Sequence, residues 1–202
     1  MAISGGPPSP PDLAVVDRLR AVVIAGHQGN LAVVQAHMAD TSARVREAAL
    51  SALFRLDQCT EQHLRSAFID PDKRVRARAA ELSVTVDDIS PAALLDDPDP
   101  AVVEVACFAC GEVSWPHHDQ APVTQLASIA TTHDDPLCRE SAAAALGAIG
   151  SPAGLDAVLV ACQDRVTVRR RATLALAAFD DPLADAALRR ALDDKDLSLI
   201  HI

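Results

Sequence analysis

The stretch Asp134–Gly150, DDPLCRESAAAALGAIG, decides the fold of this chain. It opens on an acidic-proline turn and ends on a glycine, and these residues suit the entry and the exit of a helix. Between them, small and apolar residues recur at helical spacing, at Ala142, Ala143, Leu146 and Ile149. The stretch therefore predicts one amphipathic helix with a defined start and a defined end.

Four further copies of this pattern occur in the chain, which is typical of a repeat protein. They read DTSARVREAALSALFRL at 40–56, DPDKRVRARAAELSVTV at 70–86, DPDPAVVEVACFACGEV at 97–113 and DRVTVRRRATLALAAF at 164–179. The residue after the first buried apolar position falls at 46, 76, 103, 139 and 169, so the steps are 30, 27, 36 and 30 residues. A further copy opens at 193–196 and then breaks off.

These copies resemble HEAT repeats, in particular the short bacterial type related to phycobilin-lyase-like repeats. The resemblance is carried by the Asp-Pro turn, the Val-Arg pair, the A-A-x-x-A-L core and the glycine after it, over residues 40–196. It implies an α-solenoid of stacked helix pairs, a fold that scaffolds, adaptors and a few enzymes share.

We predict an all-α solenoid of about six antiparallel helix pairs between residues 12 and 196, after a flexible Gly/Pro/Ser-rich lead-in at 1–11. The turn inside the first pair is expected at 26–30. The repeats are expected at 12–39, 40–69, 70–96, 97–133, 134–163 and 164–192, with the start of a further repeat at 193–196.

The last six residues, LSLIHI at 197–202, abandon the repeat pattern. They match the translation of a transposase adapter used in sequencing libraries. We therefore expect a non-native, adapter-derived tail on a C-terminally truncated fragment, and the alternative is a natural apolar cap.

The composition argues against a nucleic-acid-binding protein, a membrane protein and a disulfide-bonded protein. The formal net charge is −10, and an acidic surface repels phosphate backbones, so nucleic acid is not an expected partner. No run of about 18 apolar residues is present, so we expect no membrane association. The five cysteines are an odd number scattered through predicted helices, which favours free thiols in a reducing bacterial cytoplasm.

An aspartate and an arginine recur at the same phase of four repeats. The pairs are Asp40 with Arg46, Asp70 with Arg76, Asp134 with Arg139, and Asp164 with Arg169. We predict a structural ladder, in which the aspartate caps a helix and accepts hydrogen bonds from an arginine of its own or a neighbouring repeat. The alternative is a row of arginines that binds an acidic partner. Val103 interrupts the row, so the ladder should be weaker at the fourth pair.

Cys107 and Cys110 form a CxxC pair that a metal site or a redox pair would need, close in sequence to two histidines. A closed zinc site takes four ligands, and no second CxxC supplies them. The two cysteines align with Leu50 and Leu53 of an earlier copy, so we predict that they are core residues.

Two groups of residues are candidates for binding a partner. One is the inserted loop that holds the only tryptophan and two histidines, although Trp115 could instead pack over the end of a helix pair. The other is the exposed side of the second helices of the repeats. The candidate partner-binding residues are Gln35, Gln62, Arg65, Trp115, His117, His118 and Gln125.

Catalytic motifs do not occur: there is no Gly-rich phosphate loop, no G-x-S-x-G, no H-E-x-x-H and no His-Glu pair of the kind that binds iron in HEAT-like hydroxylases. We therefore expect no enzyme activity, cofactor or metal. The predicted function is a scaffold or adaptor that binds another protein. The alternatives are a phycobilin-lyase-like subunit or chaperone that handles a tetrapyrrole or protein substrate, or the non-catalytic part of a larger HEAT-repeat enzyme.

Overall fold

The computed structural model describes residues 13–86, 88–115 and 121–192, and every regular element in these ranges is a helix. The predicted lead-in, His117, His118, the repeat start at 193–196 and the tail at 197–202 lie outside the described residues. The α-helices are α1 (Leu13–Gln28), α2 (Leu31–Ala36), α3 (Ala43–Arg55), α4 (Glu61–Phe68), α5 (Lys73–Leu82), α6 (Pro100–Glu112), α7 (Val123–Thr132), α8 (Pro136–Ile149), α9 (Leu155–Ala161), α10 (Val166–Ala175) and α11 (Pro182–Ala191).

These helices follow one another as six pairs, and the all-α solenoid class predicted from the repeats is confirmed. The second helix of the third pair is a single 3-10 turn, Pro91–Leu94, which accounts for the 27-residue step at this point. Short 3-10 segments also extend α5 and α10 at their ends, at Ser83–Thr85 and Leu176–Ala178, and one precedes α9 at Pro152–Gly154.

Aspartate side chains cap the N-termini of several helices. The side chains of Asp72, Asp99, Asp135 and Asp181 each accept a hydrogen bond from the backbone N–H two residues further on. In three of the four cases a proline follows at the first helical position, where its fixed φ suits the helix and its missing N–H costs nothing. An Asp-Pro pair therefore marks the start of α6, α8 and α11. The prediction that the ladder aspartates cap the first helices was wrong, because those aspartates lie one or two residues earlier in the turn. The N-cap positions of the helices that follow Asp40, Asp70, Asp134 and Asp164 are Ser42, Asp72, Asp135 and Arg165.

The helix ends use glycine in two different ways. Gly150 closes α8 in the left-handed conformation, with φ at 65°, as its place after the repeat predicted. The turn expected at 26–30 begins too early, because α1 continues through Gly26 to Gln28 and turns at Gly29, where φ is 76°. Gly26 instead permits a close helix approach: a Cβ there would lie 2.8 Å from the Cβ of Ala52 on α3.

Residues up to His63 form one compact unit. Its core is a single apolar cluster between α1, α2 and α3, whose buried members are Val22, Ala25, Val34, Val45, Ala49, Ala52 and Leu53. Small and β-branched side chains dominate this list, so the helices of the unit can approach closely.

Residues from Leu64 onward form a second compact unit. Its centre is α8, the helix of the stretch that decides the fold, which contacts α6, α7, α9 and α10. The first helices α6, α8 and α10 lie side by side; α7 packs against α8, and α9 packs against α8 and α10. Leu126, Leu146 and Leu176 are fully buried between these layers. The second unit is thus a stack of helix pairs with a continuous core.

Candidate functional site

A shared hydrogen-bonding pattern joins neighbouring repeats, and Arg76 shows it completely. Its Nε and Nη2 donate to the two carboxylate oxygens of Asp97, at 2.7 and 2.9 Å. Its Nη1 donates to the backbone carbonyl of Asp70 at 2.9 Å. One oxygen of Asp97 also accepts the N–H of Asp99 at the start of α6. The guanidinium therefore ties the turn that begins its own helix to the turn that begins the next one.

The same bidentate pair recurs twice. Arg139 donates through Nε and Nη2 to Asp164, at 2.6 and 3.0 Å, and Arg18 donates in the same way to Asp40, at 2.8 and 3.1 Å. The aspartate belongs in each case to the repeat that follows the arginine. Sequence reasoning missed Arg18 and Asp97 as members. The partners are 22, 21 and 25 residues apart, and an arginine followed by an aspartate at this approximate distance is the signal that could have found them.

Arg46 and Arg169 make the contact within their own repeats. Arg46 Nη1 donates to the carbonyl of Asp40 at 2.8 Å, and Arg169 Nη1 donates to the carbonyl of Asp164 at 3.1 Å. The backbone carbonyls of all four predicted aspartates thus accept a hydrogen bond from an arginine of the same repeat. The carboxylates of Asp40 and Asp164 also accept from an arginine of the preceding repeat.

These hydrogen bonds shift the pKa values of the aspartates and arginines that form them. Hydrogen bonds from Arg18 hold the pKa of Asp40 below its ordinary value, and hydrogen bonds from Arg139 do the same for Asp164. The hydrogen bond with Asp97 raises the pKa of Arg76. These hydrogen bonds therefore favour the charged forms of Asp40, Asp164 and Arg76.

The pattern changes at the fourth pair, where Val103 replaces the arginine and is buried. The partner position changes with it. His133, and not Asp134, occupies the place equivalent to Asp97, and its Nδ1 accepts the N–H of Asp135 at 3.0 Å. Asp134 is exposed, and its backbone carbonyl accepts from Arg139 at 3.1 Å. A cleft of about 300 Å³, lined among others by Val103 and His133, lies at this step.

The CxxC pair belongs to the core. Cys107 and Cys110 are fully buried, as their alignment with leucines predicted. Burial raises the pKa of Cys110 to about 12 and raises that of Cys107 as well. Neither thiol is a ready nucleophile at neutral pH. Among the described residues, no cluster of three or more His, Cys, Asp or Glu side chains is arranged to hold a metal ion.

The predicted partner-binding residues are distributed over separate helices. Gln35 on α2, Gln62 and Arg65 on α4, and Gln125 on α7 are all exposed. Trp115 is half-buried, and its indole N–H donates to the carbonyl of Cys110 at the end of α6, at 2.9 Å. This contact is the packing arrangement that we weighed as the alternative for the tryptophan.

A different surface, which sequence reasoning missed, lies on the first helices of the second unit. Phe108 on α6 and Leu137 on α8 are 58% and 52% exposed, and Leu174 on α10 is also exposed. Two adjoining clefts, of about 360 Å³ and about 420 Å³, run between α6 and α8 and between α8 and α10. They share Ala144, Ala148 and Arg171. We call these two clefts together the first-helix groove.

Acidic side chains border the part of this groove that lies between α6 and α8. Glu104, Glu112 and Glu140 line it, with Arg171 as the basic residue. Glu104 accepts a hydrogen bond from the Ser141 hydroxyl at 3.0 Å, and Arg171 lies 3.7 Å from Glu140. The groove thus combines exposed large apolar side chains with an excess of carboxylates.

The stack of helix pairs and the interhelical ladder define an α-solenoid repeat protein. A family model for HEAT repeats matches residues 92–167 and again 126–200, which together span more than half of the sequence. The chain belongs to the HEAT-repeat family. HEAT repeats typically mediate protein interactions and are generally non-catalytic.

A search of curated proteins finds no match to this chain. In the described part of the structure, no helix has both the length and the apolar character that crossing a bilayer requires.

Proposed function

We propose that this protein is a non-enzymatic scaffold or adaptor that binds another protein through side chains on its stacked helices. The observation that carries the proposal is the first-helix groove, where Phe108, Leu137 and Leu174 remain exposed on three adjacent helices. Scattered exposed apolar residues are ordinary, but a contiguous set along a groove marks an interaction surface.

The helices beneath the groove are closely packed. Gly111 and Gly147 let α6, α8 and α10 pack so closely that no larger residue fits at either position without movement of a neighbour. When a partner docks on such a stack, the binding surface loses little conformational entropy, because helices already hold its backbone in place. Gln62, Arg65 and Gln125 are exposed on second helices and are further candidate binding residues.

The tetrapyrrole alternative has less support. A bilin groove needs several aromatic and basic groups together. Phe68 and Phe179 are buried in the core and Trp115 is engaged at the end of α6, so the cleft between α6 and α8 offers one aromatic residue, Phe108, and one basic residue, Arg171. Absence of a visible-range absorbance shift on adding a bilin would agree with the scaffold proposal, and a shift would favour the alternative.

The cysteines suit a reducing compartment, and we include a cytoplasmic location in the proposal. Cys107, Cys110 and Cys138 are buried free thiols. Cys59 and Cys162 are partly buried, and they too are free thiols. Free thiols persist where glutathione and thioredoxin keep them reduced.

The test is capture of a partner from the source cells by three forms of the full chain. They are the wild type, a groove variant with Phe108→Gln and Leu137→Gln, and a second-helix variant with Gln35, Gln62, Arg65, Trp115 and Gln125 changed to alanine. A stoichiometric protein retained by the wild type and lost from one of the two variants is the expected result. Retention by all three forms, or no stoichiometric protein, would contradict the proposal.

A further inference from the structure

We infer that the first-helix groove binds a basic amphipathic helix of another protein, with a bulky apolar side chain seated between Phe108 and Leu137. This inference rests on the proposed function and adds the chemistry of the partner. Lysines or arginines of the bound helix face Glu104, Glu112 and Glu140.

The apolar part of the argument is the shape of the groove. Its floor is made of small residues, Gly111, Ala144, Ala145 and Ala148, and Phe108 and Leu137 also line it. These residues are small where α6 and α8 approach closely, since a Cβ on Gly111 would lie 3.1 Å from the Cα of Ala145. The bottom of the groove therefore carries no large side chain. A side chain of leucine or phenylalanine size can therefore enter between the two helices and bury its surface against both.

The length of the exposed stripe on α8 suits a helix. Leu137, Ser141, Ala144 and Ala148 line the groove at steps of four, three and four residues, so they lie on one face of α8. At 1.5 Å per residue this face is about 16 Å long, which is about three turns of a docked helix. Amphipathic helices bind such grooves through apolar anchors at matching spacing.

Charge complementarity selects a basic partner. Three carboxylates and a single guanidinium line the cleft between α6 and α8, and Arg171 is half-exposed and 3.7 Å from Glu140. An exposed pair of this length neutralises little of the local negative field. The net charge of −10 adds a long-range attraction for positively charged partners.

A second copy of this chain is a poorer occupant. In a two-fold symmetric dimer the same patch meets itself, so the glutamates of one groove would face those of the other. Like charges brought together in an interface cost free energy, and that cost opposes self-association through this surface.

The experiment selects a displayed library of random 16-residue peptides on the full chain and titrates the enriched peptides by fluorescence anisotropy. The variants are Phe108→Gln in the groove and Val160→Gln on α9, whose side chain is 55% exposed against 58% for Phe108. Glu112→Lys is a third variant. It reverses a charge at the last residue of α6, where a cation suits the helix dipole and the fold is retained.

We expect enriched peptides that carry net positive charge, show apolar residues at helical spacing and gain helical circular dichroism on binding. Phe108→Gln should raise their Kd about tenfold or more, as for a hot-spot side chain. Glu112→Lys should raise it several-fold, and Val160→Gln should leave it within about twofold.

Several outcomes would overturn the inference. These are selection of acidic or non-helical peptides, binding that Phe108→Gln leaves unchanged, or no enriched peptide at all. A dimer in analytical ultracentrifugation that Phe108→Gln dissociates would assign the groove to a second copy. Peptides lost only with Val160→Gln would place binding on the second helices, so the inference would fail while the proposed scaffold function stands.

Discussion

At the scale of single residues, Arg76 explains why an arginine recurs in these repeats. Its planar guanidinium donates two parallel hydrogen bonds to Asp97 and a third to the carbonyl of Asp70. A lysine ammonium cannot match this fork, since it is a compact charge on a flexible stem. The side chains of Arg76 and Asp97 are only 13% and 3% exposed, so the pair is screened little by solvent.

The exception at the fourth pair changes both partners together. Val103 stands where the other repeats have arginine, and His133 stands where they have the accepting aspartate. A buried ion pair can be replaced as a whole at little cost, whereas loss of one partner leaves an uncompensated charge. The double change thus avoids a lone carboxylate, while His133 keeps the hydrogen bond to the N–H of Asp135.

The first prediction concerns this position. Val103→Arg alone should lower the free energy of unfolding by about 2–4 kcal/mol, because it places a charge in a buried site without its carboxylate. Adding His133→Asp should recover part of the loss, with a coupling energy of about 1 kcal/mol or more. Urea denaturation of the two single variants and the double variant measures this coupling, and additive effects would show that no pair forms.

At the scale of secondary-structure elements, the contact between α8 and α10 depends on Gly147. A Cβ at this position would lie 2.6 Å from the Cβ of Ala175 and 2.8 Å from its Cα. The equivalent glycine of α6, Gly111, is less tight, with the nearest atom, the Cα of Ala145, at 3.1 Å. Both glycines therefore permit close helix approach, but only at Gly147 would a Cβ lie less than 3.0 Å from backbone.

The second prediction compares these two glycines. A Gly→Ala change in the middle of a helix gains about 1 kcal/mol of intrinsic propensity, and overpacking costs about 1–3 kcal/mol. Gly147→Ala should therefore destabilise the protein, because α10 must move as a whole. Gly111→Ala, its matched control, should be close to neutral. Thermal unfolding followed by circular dichroism decides, and equal midpoints for the two variants would contradict the account.

At the scale of the whole molecule, the carboxylates are numerous, and several of them belong to two distinct groups. The chain carries 28 acidic against 18 basic residues. Part of the acidic set forms the bidentate pairs Arg18–Asp40, Arg76–Asp97 and Arg139–Asp164, while another part borders the first-helix groove. The paired carboxylates join neighbouring repeats, and in our proposal the groove carboxylates face the basic side chains of a partner.

The third prediction follows from the lowered pKa values of Asp40 and Asp164. Their contribution to stability is complete above the unfolded pKa, about 3.8, and is lost as the pH falls through the lower folded pKa. The free energy of unfolding should therefore drop below about pH 4. Urea denaturation at pH 7, 5, 4 and 3 measures the drop. Asp164→Asn should show a smaller decrease between pH 4 and 3, and an unchanged decrease would exclude this pair as a source.

The sequence by itself determined the repeats, the all-α class and the end of α8 at Gly150. It also placed Cys107 and Cys110 in the core. These features depend on residues close together along the chain: apolar spacing and a glycine that accepts positive φ. Such signals need no knowledge of which helix lies beside which.

Only the tertiary structure decided the partners of the ladder and the position of the groove. Arg18 meets Asp40 across 22 residues, and His133 replaces Asp134 at the turn, because helix packing sets which turn lies above which. The groove exists because Gly111 brings α6 close to α8 while Phe108 and Leu137 stay exposed on either side. Distances between helices follow from how the side chains of both fit together, and the spacing within one helix does not contain that information.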